Sequence, residues 1–324
     1  MNRTRFPRFV WGVLIYNLIV ILWGALVRAT ISGDGCSNHW PLCGGSATLQ
    51  PSATLIGLTH RQIEFTHRLT SGVSLLLSVL LFVWAMRIYD RQHPAWKGAL
   101  LCMLFTFSEA AVGAGLVRFK LVAQNASVYR AVAISAHLTN TFLLLLALTL
   151  TGWWSSGGGA LRLRRDGAVV LAVATAIFAA ILLGVSGAIT ATGDTLFPSA
   201  SLAAGIRADF SSTASFWLRL RVFHPFLATA IGIYLLALAA ALNRMRPSAR
   251  MTRYAKGIAV LFALEMVAGV VNLLLRAPLA LQLVHLLLAD MLWVNIVLLS
   301  AAALSTRTSE RGSAPLKAAK PQAG

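Results

Sequence analysis

Acidic side chains are scarce in this sequence: 324 residues carry 10 Asp and Glu against 28 Lys and Arg, and charged residues of both signs make up only 12%. That scarcity excludes an ordinary soluble domain, in which roughly a quarter of residues are charged. Cysteine is scarce too. With 3 in the chain, two of them in one loop, a structural zinc site, which wants four clustered N or S ligands, is a weak reading. What fills the sequence instead is apolar: 57% hydrophobic residues and a mean hydropathy of +0.73 mark an integral membrane protein. The formal charge of +18 does not indicate nucleic acid. The basic residues sit in short clusters between long apolar runs rather than along one stripe, so membrane topology accounts for them.

Runs long enough to cross a bilayer, about 20 residues each, fall near 9–29, 63–86, 98–117, 131–154, 167–190, 214–242, 255–275 and 279–304. The expected fold class is therefore an all-α integral membrane protein with eight transmembrane helices. The first run follows Arg3, Arg5 and Arg8 and exceeds the apolar region of a signal peptide, so it reads as a retained span. With a cytoplasmic N-terminus, 18 of the 28 basic residues fall on the inner side, which predicts both termini inside. Cys36 and Cys43, in "GCSNHWPLC", then lie in the first outer loop, where an oxidising compartment lets a disulfide persist. Cys102, within the third span, reads as a small apolar filler.

The Gly-rich, then basic stretch "SSGGGALRLRRDG" suits a cytoplasmic linker. It divides the chain into a four-helix unit at 1–154, a linker at 155–166, a second four-helix unit at 167–304 and a tail at 305–324 whose composition is that of a disordered end. The units echo each other. "SEAAVGAGLVR" resembles "LEMVAGVVNLLLR", and "WGALVRATISGDG" resembles "GVSGAITATGDT". Matches in the same order predict a duplication, two pseudo-symmetric bundles related by an axis along the membrane normal.

Four of the seven histidines fall in spans: His67, His137, His224 and His285, one on each even-numbered span and none on the odd ones. All four sit seven residues beyond a plausible helix entry, roughly 10 Å below the outer rim at 1.5 Å per residue. Two imidazoles facing each other in a four-helix unit are how bundles ligate a haem iron from both sides. A lone histidine would more simply hydrogen-bond a neighbouring helix; four at matched depth favour haem. A proton relay would need ionisable groups in the lower halves of the spans, which hold almost none. Haem propionates need cations near the outer rim, and Arg68, Arg118, Arg130, Arg219, Arg221 and Arg276 are the candidates, with interfacial snorkelling as the plain alternative.

In "RQIEFTHRL" Glu64 precedes His67 by three and Arg68 by four, so acid, imidazole and guanidinium share a helical face. A carboxylate inside a membrane is a functional candidate; a salt bridge to Arg68 is its alternative role. Nothing acidic accompanies His224 in "RVFHPFLA". One unit is thus equipped to react and the other to transfer electrons. Pro225 removes a backbone donor next to His224 and predicts a local break in that helix. Asp290 is a candidate support for His285 or a partner within the bundle. Glu109 and Glu265 match in position and suggest a shared structural role. His39 and His60 read as solvated loop histidines.

Taken together, "GALVRATISGDGCSNHWPLC", "EFTHRLTSG", "HL", "HP" and "VHLLLAD" resemble the heme A synthase family, the membrane enzymes that convert heme O to heme A for cytochrome oxidase, and the resemblance spans residues 9–304. It implies that His67 and His137 hold the substrate heme O, that His224 and His285 hold a cofactor heme b, that Glu64 is the catalytic carboxylate and that Cys36 and Cys43 form a disulfide. It implies oxidation of the C8 methyl of heme O to a formyl group. It also implies a multi-pass location in a bacterial inner membrane, heme O synthase and a membrane electron donor as partners, and compatibility with a homo-oligomer. The non-enzymatic alternative is a di-haem electron carrier of the cytochrome b type; a transporter rests only on the duplicated halves. A prenyl transferase would need Asp-rich diphosphate motifs, which are absent.

Overall fold

The computed structural model describes residues 3–37, 43, 57–163 and 166–305. His39, Arg164, Arg165 and the tail from 306 lie outside the described residues. Ten helices follow in order: α1 (Phe6–Ala29), α2 (His60–Ile88), α3 (Pro94–Arg118), α4 (Val128–Ser155), α5 (Gly167–Leu196), α6 (Leu202–Asp209), α7 (Phe216–Arg221), α8 (Phe223–Met245), α9 (Ala249–Leu274) and α10 (Leu279–Leu304). Eight helical segments are long and apolar enough to cross a membrane, α7 and α8 together making the sixth. Each falls on one of the runs read from the sequence, and no strand occurs among the described residues.

Local chemistry sets the helix starts. Thr59 and Gln62 form a reciprocal capping box at α2, and Ser127, Asp166 and Ser248 each accept a backbone N–H at the start of α4, α5 and α9. At α3, His93 Nδ1 accepts from Ala95 N at 3.1 Å. Burial, helped by Arg3, holds the pKa of His93 below its ordinary value, which suits a neutral acceptor. The sixth span is interrupted at Val222, four residues after Leu218 and three before Pro225. Pro225 has no N–H to offer the Arg221 carbonyl one turn back, and its ring crowds that carbonyl, so the ladder breaks where the sequence predicts it.

Helices α1, α2, α3 and α4 close a ring of neighbours, α1 against α2, α2 against α3, α3 against α4 and α4 against α1; α5, α8, α9 and α10 close a second ring. The rings meet where α1 and α4 touch α5 and α10. At this seam Trp293 of α10 stacks on Phe142 of α4, ring centroids 4.7 Å apart, and its Nε1 donates to the Phe142 carbonyl at 3.0 Å. Gly184 of α5 leaves the space for Phe142, since a Cβ there would overlap its ring. Arg28, at the end of α1, crosses the same seam. Its guanidinium donates to the Ala191 carbonyl at 2.5 Å and Thr195 Oγ1 at 2.9 Å on α5 and to Gln282 Oε1 at 2.7 Å on α10.

Candidate functional site

His67 on α2, His137 on α4, His224 on α8 and His285 on α10 each lie within the first three turns of their spans. His67 and His137 are close enough to interact electrostatically within the first ring, and His224 and His285 within the second. Each imidazole also faces a glycine on the preceding span. A Cβ built on Gly24, Gly113, Gly187 or Gly269 would lie 3.0, 3.8, 3.1 or 3.4 Å from Cε1 of His67, His137, His224 or His285, respectively. The odd-numbered spans carry the glycines and the even-numbered spans the imidazoles, twice over in each ring.

The four Nδ1 atoms differ in what lies behind them. Ser186 Oγ of α5 is 2.8 Å from His224 Nδ1. Glu265 Oε2 of α9 is 2.5 Å from His285 Nδ1, and Glu109 Oε1 of α3 is 3.4 Å from His137 Nδ1. Both carboxylates are within ion-pair range of the ring nitrogen, although neither contact has hydrogen-bond geometry. His67 Nδ1 is buried and has no hydrogen-bond partner among the described residues. Glu109 is held by Asn140 and Thr141, which donate to its two oxygens. Its counterpart Glu265 has no such donors: one oxygen is unbonded, as are both buried oxygens of Asp290, which is within electrostatic range of it.

No Nε2 of the four histidines makes a hydrogen bond among the described residues, and the His137 and His285 side chains keep 31% and 28% exposure. Of the four, only His224 has a hydrogen-bond contact at Nδ1 among the described residues, and with every Nε2 outside the hydrogen bonding each pair of imidazoles suits ligation of a planar group that supplies the remaining donors itself. Among the described residues no group of three or more His, Cys, Asp or Glu converges as a bare metal ion would require. The donor set therefore fits a haem in each ring.

Glu64 is buried and fully engaged. Oε1 accepts from Arg68 Nη2, one helical turn on, and Oε2 accepts from the Cys36 backbone N–H at 2.8 Å. Cys36 and Cys43 are joined as a disulfide, Cα atoms 4.6 Å apart, so the acid beside His67 is tied directly to the disulfide loop. The same loop docks through Ser32 Oγ, 2.9 Å from His60 Nδ1, and Gly35 lets its backbone approach the start of α2, where a Cβ would come within 2.5 Å of the His60 carbonyl carbon.

The cationic candidates have diverse partners. Arg221 bridges Asp194 at 2.9 Å and Asp209 at 2.6 Å. Arg130 is buried and donates to the Ala123 and Asn125 carbonyls, Arg276 to the Ala200 carbonyl, and Arg219 to those of Ala214 and Ser212. Arg118 is exposed at the end of α3.

The glycine set, Ser186 and the histidine contacts of Glu109 and Glu265 are absent from the sequence reading. A signal for two of them is present: Glu109 with Gly113 and Glu265 with Gly269 are the same Glu-x-x-x-Gly spacing, which puts acid and glycine on one helical face.

A family-wide sequence profile named COX15-CtaA and described as cytochrome oxidase assembly protein matches residues 7–297. A Thermus thermophilus protein named protoheme IX farnesyltransferase is 44% identical over 310 residues, covering 96% of this chain and 49% of that protein. The chain thus spans about half the length of this relative. Proteins named heme A synthase from Listeria welshimeri and Listeria monocytogenes are 34% identical over 110 residues, 33% of this chain and 35% of theirs.

Proposed function

The chain belongs to the COX15-CtaA family of cytochrome oxidase assembly proteins, and we propose that it is a heme A synthase, oxidising the C8 methyl of heme O to a formyl group. The observation that carries this reading is the pair of imidazoles within electrostatic range of each other in each helical ring, with a carboxylate one turn before the histidine on the same helix, Glu64 before His67, in the first ring alone. In the proposal His67 and His137 hold the substrate heme O, and His224 and His285 hold a heme b cofactor. The two rings are the units 1–154 and 167–304 of a duplicated chain, with both termini in the cytoplasm and the disulfide loop outside. Bound haem supplies electron exchange; the protein's part is to place and polarise. Glu64 is the catalytic carboxylate. In this reading it acts by holding negative charge against positive charge developing on the substrate. Arg68 and the Cys36 N–H fix its orientation. Arg118, exposed at the rim, is the first propionate partner to test, and Arg68, Arg130, Arg221 and Arg276 the others.

The farnesyl transfer in the name of the Thermus relative is not assigned to this chain, which has no Asp-rich diphosphate motif; an enzyme of that kind is instead the source of heme O and the proposed partner. A di-haem electron carrier is the second reading, favoured by the histidines alone.

A pyridine haemochrome spectrum of the pure protein, with haem extracted from membranes co-expressing a heme O source, tests the proposal. Bound haem together with formyl haem is the expected result, and heme O and heme b without any formyl product would reject the activity. The glycines give a graded check. Gly24→Ala and Gly187→Ala put a methyl 3.0–3.1 Å from an imidazole carbon, so they should reduce haem content after purification, whereas Gly113→Ala, at an ordinary 3.8 Å, should retain it.

A further inference from the structure

A haem that is substrate has to enter and leave, whereas a cofactor has to stay, and the two rings differ in how firmly their imidazoles are backed. In the second ring both ligands have a polar partner at close range, Ser186 at 2.8 Å and Glu265 at 2.5 Å. In the first ring His67 has none, and His137 has Glu109 at 3.4 Å, a carboxylate whose oxygens are already taken by Asn140 and Thr141. The positions of Asn140 and Thr141, three and four residues after His137, are occupied by Leu288 and Ala289 after His285, so Glu265 is left to face the imidazole. An acceptor on Nδ1 fixes ring orientation and tautomer and strengthens Nε2 as a donor, and loss of such a partner typically lowers metal affinity about 10- to 100-fold.

We infer that Ser186 and Glu265 are positioning residues that lock the second pair of imidazoles onto a retained haem, and that the missing partner at His67 and the diverted one at His137 leave the first haem exchangeable. The inference rests on the haem reading above. It assigns to five side chains outside the ligand set, Ser186, Glu265, Glu109, Asn140 and Thr141, the division between the site that keeps its haem and the site that turns it over.

The test is haem release from the full-length, haem-loaded protein in detergent, using excess apomyoglobin as scavenger and absorbance as readout. Two phases are expected, and repeating the measurement with His137→Ala, which leaves only the second pair intact, assigns the slow phase to His224 and His285. Ser186→Ala and Glu265→Gln should each speed the slow phase about 10-fold or more and leave the fast phase unchanged. Glu265→Asp, which keeps the carboxylate, should restore most of the retention. Glu265→Gln should also raise the midpoint potential of the retained haem, because a weaker imidazole donor favours the ferrous state; a 10-fold change in that equilibrium is about 59 mV for one electron. Ser186→Ala removes a single oxygen and keeps the test decisive even if Glu265→Gln does not assemble. A slow phase unchanged by the variants, or both phases accelerated alike, would overturn the inference while leaving the haem reading intact. Wild-type protein that takes up no haem would overturn both.

Discussion

Glu64→Gln is expected to lower formyl haem production by about 10²–10³-fold, the usual loss when one preorganised electrostatic group is removed from a site, while the absorbance of the retained haem stays that of wild type. The amide matches the carboxylate in size and can still accept from the Cys36 N–H, as Oε2 does at 2.8 Å, so the loop remains docked while the negative charge and the hydrogen bond from Arg68 Nη2 are lost. Glu64→Ala removes the charge and the acceptor of the buried Cys36 N–H at once, and should add a stability loss of about 1–3 kcal/mol. Product analysis of the two variants, side by side with thermal unfolding in detergent, separates the roles. A glutamine variant with full turnover would reduce Glu64 to a clamp between α2 and the disulfide loop, and would favour the electron-carrier reading.

Arg28→Leu should be the most damaging change away from the haem sites. One guanidinium bonds α5 through Ala191 and Thr195 and α10 through Gln282, with Asp194 near enough to supply counter-charge. Leucine leaves the Thr195 hydroxyl and the Gln282 amide oxygen without that donor, while at this end of the rings Trp217 Nε1 still donates to the Ala126 carbonyl at 2.9 Å. The expected loss is about 2–4 kcal/mol, read as a lower unfolding temperature in detergent. Arg28→Lys should recover only part of it, since a single ammonium cannot span two helices as a planar fork does. A variant as stable as wild type would mean that the aromatic stack of Trp293 on Phe142 holds the seam without this guanidinium.

Hydropathy alone located all eight spans, because a bilayer demands long apolar runs and little else produces them. That the four histidines lie near the starts of their spans was equally legible, since helical rise converts residue number into distance along a helix. Rotation about the helix axis was not. Whether Glu265 faces His285 or lipid depends on how α9 is turned against α10, and period alone leaves that open when a helix is apolar all round. Hence the matched acids Glu109 and Glu265 could be noticed in the sequence without the histidine contacts that give them meaning. Ser186 is less legible still: a serine in a span is commonplace, and only its distance to the His224 ring sets it apart. The broken sixth span lies at the other extreme, a backbone effect of one proline that needs no tertiary information.

Helix α10 carries His285 and also the Trp293 ring that joins the halves, and it packs on α1, α4, α5 and α9. During synthesis these earlier helices enter the bilayer before it. Until α10 has been released sideways from the translocon, the second ring is open on one side and the junction with the first is unmade. On the proposed reading, a haem held by His224 and His285 is therefore loaded only after α10 has been inserted.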